Sequence, residues 1–175
     1  MFLNKIKIFL LISICLIFFF LTYNDVRSEE IKIISGTAKV IDGDTIRIGK
    51  KKIRLLGIDA PEKEQQCRKA WLTISILSFN KDYPCGQIST KKLKNKINDK
   101  FLICEWTNKD RYKRYIAECF KDKKSINSWM VEYGYAVAYI KYSKKYVSKE
   151  IFAKKEKRGL WSDSFEMPWD YRKKN

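Results

Sequence analysis

The apolar positions change period several times along this chain. Residues 31–41 (IKIISGTAKVI) read as a strand, interrupted near Gly36. Asp42-Gly43 is a tight-turn pair, and 44–48 (DTIRI) then alternates as a half-buried strand does. After Gly49-Lys50, residues 52–58 (KIRLLGI) complete a three-strand meander. Residues 63–86 show no clean period, and the reading there is a loop or partial helix. Helical spacing returns at 87–97, with Ile88, Leu93 and Ile97 on one face. Residues 101–107 and 115–120 form a strand pair around a polar connection at 108–114. Ser125 caps a helix running to Tyr133, and Gly134 stops it. A strand at 135–140 and a helix at 147–158 follow, the helix ending at Gly159. The tail EMPWDYRKKN is aromatic and then basic. Short hairpin-connected strands with inserted helices predict an α+β fold built on a small closed Greek-key barrel of the OB type.

The N-terminus is organised differently. Lys5 and Lys7 precede an apolar run at 8–21, and Val26-Arg27-Ser28 ends in a tolerable cleavage site. The run is short for a membrane span, which takes about 20 residues. Residues 1–28 therefore read as a signal peptide and 29–175 as the working domain, exported to the periplasm or the medium, or membrane-anchored if the signal stays uncut. The chain carries a net charge of +17; losing residues 1–28 removes three positive and one negative side chain and leaves +15. Such a surface attracts polyanions, either nucleic acid or an anionic membrane.

Four cysteines remain beyond the signal: Cys67, Cys85, Cys104 and Cys119. An even count in an exported chain points to disulfides, with three connectivities open in principle. Cys67 and Cys85 bracket the unpatterned segment, and antiparallel pairing about 108–114 sets Cys104 opposite Cys119. The expected pairs are therefore Cys67–Cys85 and Cys104–Cys119. No C-x-x-C pair and no histidine is present, which argues against zinc. The lack of histidine also excludes imidazole catalysis of every kind. Carboxylate, lysine, tyrosine and metal-bound water are what remain.

Three clusters carry that chemistry: VIDGDT (40–45), RLLGIDAPE (54–62) and DRYKR (110–114). Asp44 begins one strand and Asp59 ends another, and two carboxylates at neighbouring strand ends suit a hard cation such as calcium. Arg54 and Arg114 can each fork onto a phosphate, while Glu62 is placed to orient or deprotonate a water. Arg54 and Asp59 have opposite parity, so strict alternation would put them on opposite faces. Sharing a site requires a bulge or bend near Gly57.

VIDGDTIRI, IRLLGIDAPE and DRYKRYIAECF, in this order and spacing, resemble the staphylococcal nuclease (thermonuclease) family, and YGYAVAYIKYSKKYVSKEIFAKKEKRGLW ending in MPWDYR resembles its exported bacterial branch. The resemblance covers residues 36–172. It implies an OB-fold barrel with about three helices and calcium-dependent hydrolysis of DNA and RNA to 3′-phosphate ends. It also implies Asp44, Asp59 and the Ala60 carbonyl as calcium ligands, Glu62 as general base, and Arg54 and Arg114 on the scissile phosphate. Tyr112 and Tyr139 would lie beside the nucleotide, with Arg111 adding to nucleic-acid binding. A monomer with no obligate protein partner is expected. Lys113 departs from the pattern, standing where D-R-Y-G-R has glycine, so the aim of Arg114 is in question. The alternatives are a nucleic-acid-binding OB module without catalysis and a cationic surface protein.

Overall fold

The structure is a computed structural model that describes Lys7 and residues 12–15, 30–74 and 77–174. Most of the expected signal peptide lies outside the described residues. No helix among the described residues is long and apolar enough to cross a membrane.

Strands β1 (Lys32–Val40), β2 (Thr45–Ile48) and β3 (Lys51–Leu55) form the expected meander. After a break comes β4 (Ile58–Asp59). Strands β5 (Cys67–Ile74) and β6 (Leu77–Tyr83) pair with each other, Arg68 of β5 adds an isolated bridge to Ser164, and α1 (Cys85–Ile97) follows. Strands β7 (Phe101–Lys109) and β8 (Tyr115–Lys121) make a long hairpin, and β9 (Lys124–Ser125) extends it. The chain ends with α2 (Ile126–Glu132), β10 (Val137–Ala138), α3 (Val147–Lys155), a 3-10 turn at Gly159–Ser162, and α4 (Pro168–Lys174).

β1 pairs with both β2 and β7, and β3 closes onto β8 in parallel. The result is a closed five-strand barrel in the order β1-β2-β3-β8-β7, the α+β OB architecture expected. Inward positions of the barrel strands supply Ile34, Ala38, Ile46, Ile53, Leu55, Leu102 and Ala117, all fully buried or nearly so. Each isoleucine or leucine removed from water contributes about 1.5–3 kcal/mol. Leu93 and Ile97 of α1 and Ile126, Met130 and Val131 of α2 join the same core. Ser125 caps α2, its Oγ accepting from the Ser128 N–H at 3.1 Å.

Four expectations are corrected. Residues 67–83 form the β5–β6 hairpin rather than a loop or partial helix. This hairpin stands outside the barrel, with Arg68, Lys69, Lys81 and Asp82 exposed, so no single apolar face gives it a readable period. Ile88 is 37% exposed rather than buried; Cys85 and Ser89 face inward instead. The strand expected at 135–140 shrinks to two residues, because only Val137 and Ala138 find partners, in β4. The tail is helical over α4, so the described residues from 30 onward hold four α-helices rather than three.

A small second cluster sits apart from the barrel core. Cys67, Cys85, Val137 and Leu160 are buried in it, with Tyr83, Trp161, Phe165, Met167 and Trp169 packed around them. The Cys67–Cys85 disulfide runs through this cluster, and α4 lies against it.

Candidate nuclease site

The carboxylates are delivered by strand ends. Asp44 precedes β2, and its Oδ2 accepts from the Ala60 N–H at 2.9 Å, which ties the start of one strand to the end of another. Asp59 closes β4, where it pairs with Val137 of β10. Between β3 and β4 the chain turns at Gly57, with φ +70°. A Cβ there would meet the Ser143 Cβ at 2.9 Å and the Tyr146 ring at 3.2 Å, so both conformation and space call for glycine. This is the bend that the parity of Arg54 and Asp59 requires.

The bend lets Arg54 turn back on both acids. Its Nη2 donates to Asp59 Oδ1 at 2.6 Å, and its Nη1 contacts Asp44 Oδ1. Asp59 is fully buried and Asp44 nearly so. Burial lowers the pKa of Arg54, Asp59 opposes that shift, and the nearby positive charge of Arg114 adds to it. β8 runs parallel to β3 with Ile116 opposite Arg54, so Arg114 leads into the strand that borders this cluster. Burial also raises the pKa of the neighbouring Asp42.

Arg114 is held by its own hairpin tip. Asp110 Oδ1 accepts from the Arg114 N–H at 2.9 Å, and Asp110 Oδ2 accepts from Arg114 Nε at 2.7 Å. Burial would raise the Asp110 carboxyl, but these bonds and the Arg114 charge hold it below the ordinary range. Lys113 takes the left-handed conformation that glycine would, at φ 62°, and its N–H bonds the Asp110 carbonyl at 2.9 Å. The turn thus keeps its shape at a local conformational cost. Tyr112 is 64% exposed, with the Arg114 guanidinium 5.4 Å from its ring centroid, and its hydroxyl accepts from Arg111 at 2.7 Å.

Glu62 follows Asp59 on the exit loop. Its backbone carbonyl packs against Gly86, where a Cβ would approach to 1.7 Å. Gln65, fully buried, accepts from the Glu62 N–H at 3.2 Å. The carboxylate of Glu62 is partly exposed, and a residue the sequence reading did not select holds it: Arg172 of α4. Arg172 Nη1 donates to Glu62 Oε1 at 2.6 Å, and Nη2 donates to Asp59 Oδ2 at 2.7 Å. Burial lowers the Arg172 pKa, but the two carboxylates outweigh it and raise the value overall. Tyr139 also meets α4, its ring stacked on Trp169 at 5.4 Å with planes 9° apart. The Tyr139 N–H bonds the Gly57 carbonyl at 2.9 Å, which sets this aromatic pair beside the bend. The signal for Arg172 and Trp169 in the sequence was the aromatic-basic tail; nothing in it gave their partners.

Asp44, Arg54, Asp59, Ala60, Glu62 and Arg114 thus come together. Arg111 and Tyr112 stand at the hairpin tip and Tyr139 at the α4 side. One guanidinium spans Asp44 and Asp59, so the two carboxylates lie within reach of a single small cation, and an all-oxygen donor set fits a hard ion such as calcium. Both Asp59 oxygens already accept from arginine, so a cation bound there takes over at least one of those contacts. Among the described residues no three Asp, Glu, Cys or His side chains converge as a ready-made metal cluster; the third expected ligand is a backbone carbonyl. The cysteines are paired Cys67–Cys85 and Cys104–Cys119, as the spacing suggested.

Comparison with known proteins follows the same residues. The family described as staphylococcal nuclease homologue matches residues 52–163. The succinoglycan biosynthesis protein ExoI of Rhizobium meliloti is 37% identical over 136 residues, 73% of this chain and 64% of that protein. This chain thus spans under two thirds of that relative's length. An uncharacterized endonuclease of Escherichia coli O157:H7 is 33% identical over 145 residues, 77% of this chain and 83% of that protein. One from Haemophilus influenzae is 33% identical over 162 residues, covering 89% and 79%. With a family match across more than half of its length, on a closed OB barrel, this chain belongs to the staphylococcal nuclease family.

Proposed function

We propose that the chain is an exported, calcium-dependent endonuclease that hydrolyses phosphodiester bonds of DNA and RNA to 3′-phosphate products. Family membership and relatives named endonucleases support the coarse reading, a hydrolase of phosphodiester bonds. The observation that carries the finer one is the junction at Arg54. Two buried acids from separate strand ends meet one guanidinium, with Glu62 three residues beyond.

In this reading Asp44, Asp59 and the Ala60 carbonyl hold calcium, which when bound would offset negative charge on a phosphate oxygen. Arg54 and Arg114 place two planar forks toward the scissile phosphate and stabilise charge that builds as water adds to phosphorus. Glu62 takes the proton from that water on a carboxylate oxygen. A 3′-phosphate product requires the bond between phosphorus and the 5′-oxygen to break, and that oxygen leaves as a 5′-hydroxyl with a proton taken from solvent. Arg111 and the basic surface draw in the polyanion, and Tyr112 and Tyr139 flank the nucleotide. Counterion release then makes affinity fall with salt. Two disulfides suit an oxidising compartment, in line with export.

The test uses plasmid and RNA, each with calcium or a chelator. Cleavage should need calcium. Glu62→Gln should bind nucleic acid normally yet cut at least about 10²-fold more slowly. Binding without any cutting in calcium would instead support the non-catalytic OB module, and binding to anionic vesicles alone the surface protein.

A further inference from the structure

We propose that Arg172 is a positioning residue of the hydrolytic site, fixing the Glu62 carboxylate against Asp59, and that α4 is the device that brings it there. The proposal rests on the nuclease reading above. Glu62 stands on a loop with its side chain 41% exposed, where a glutamate ordinarily samples several rotamers. Among the described residues, Arg172 makes the one hydrogen bond that its carboxylate receives. A planar guanidinium spanning two carboxylates sets both their separation and their relative orientation, which an ammonium cannot do. Nη1 engages Oε1 of Glu62 and leaves Oε2 to accept a proton from water. Nη2 engages Oδ2 of Asp59, the acid expected to hold the metal, and leaves Oδ1 to the cation in place of Arg54, so base and metal ligand are locked together through one side chain.

The tail is fastened in a way that serves this contact. Trp169 stacks on Tyr139 one turn before Arg172. Gln65 accepts from the Glu62 N–H and donates through Nε2 to the Glu166 carbonyl at 2.7 Å. Lys174 closes the helix back onto Glu166 at 2.5 Å. The backbone of Glu62 and its carboxylate are thus both tied to the same tail, from opposite ends. A tail that merely covered apolar surface would need the Trp169 contact and neither of these.

The experiment compares the full-length chain with Arg172→Gln, Arg172→Lys, Glu62→Gln and the Arg172→Gln/Glu62→Gln double variant, on DNA in saturating calcium. Arg172→Gln should lower kcat about 10- to 100-fold, the usual cost of losing a group that orients a metal ligand. KM should stay within about twofold and the Tm nearly unchanged. Arg172→Lys should recover part of the loss. In the Glu62→Gln background the further change should cost little, because the two act as one unit. Without any substrate, amide exchange of residues 168–174 should speed up in Arg172→Gln and in Glu62→Gln alike. An unchanged or faster rate in Arg172→Gln would overturn the proposal, as would a raised KM at constant kcat, full additivity in the double variant, or unaltered exchange in the tail. A wild-type chain that never cuts would instead remove the nuclease reading itself, and the positioning role with it.

Discussion

Arg114 and Arg172 approach one cluster of acids, and they are held there in opposite ways. Arg114 takes its geometry from Asp110, four residues earlier, inside a hairpin tip that grows out of the barrel. Its supports are local, and its foundation is the main core. Arg172 takes its geometry from Asp59 and Glu62, more than a hundred residues earlier. Its foundation is the small cluster around Cys67–Cys85, Leu160 and Trp169. A side chain positioned by its own turn keeps its aim as long as the turn persists. One positioned by a docked short helix depends on that docking, and a helix of seven residues resting on few buried contacts opens at low free energy. The Arg114 half of the site thus rests on local contacts and the Arg172 half on long-range docking.

The two disulfides give the strongest test of that contrast. Replacing either pair by serine should cost about 3 kcal/mol, since the closed loops are of similar length, 18 and 15 residues. The consequences should differ. Losing Cys104–Cys119 should lower the Tm while amide exchange in 168–174 and kcat hold. Losing Cys67–Cys85 should free α4, speed its exchange and lower kcat at temperatures where the barrel is still folded. Equal effects on the tail would break the comparison.

Acid should separate the halves more mildly. Because the Asp110 carboxyl is held below its ordinary value of 3.8, it stabilises the fold above about pH 4. That contribution fades as pH falls through the lower folded-state value. Asp110→Asn should flatten this part of the stability–pH curve and loosen Arg114, while leaving exchange in α4 alone. A wild-type acid limb in Asp110→Asn would show that the hairpin tip is held by something else.

The smallest effect is expected at Lys113. Lys113→Gly removes the cost of a left-handed lysine, about 1 kcal/mol. Chemical denaturation should show a gain of that order with Arg114 still aimed by Asp110 and kcat unchanged. A loss of stability would mean that Lys113 makes up for its strained backbone through its side chain.

The sequence by itself determined the parts that rest on short-range physics. The strand meander, the Ser125 cap, the β7–β8 hairpin and its cross-strand cysteines all depend on residues a few positions apart or on one register. The demand for a bend at Gly57 followed from parity alone, and the structure meets it with a positive φ at that residue. Asp44, Arg54, Asp59, Glu62 and Arg114 were legible for a related reason, because a strand end or a tight turn carries each of them. Only the tertiary structure decided the rest. The β5–β6 hairpin is paired by partners outside the barrel and exposes charge on its faces, so its pattern names no core. The helix α4 is a single short segment with basic residues on its exposed side, and its stability comes from docking rather than propensity. The meeting of Arg172 with Glu62 exists because barrel closure and the second cluster bring the loop after β4 and α4 together. A contact across 110 residues leaves no period in the chain; it is fixed when the loop between is closed and the intervening surfaces are packed.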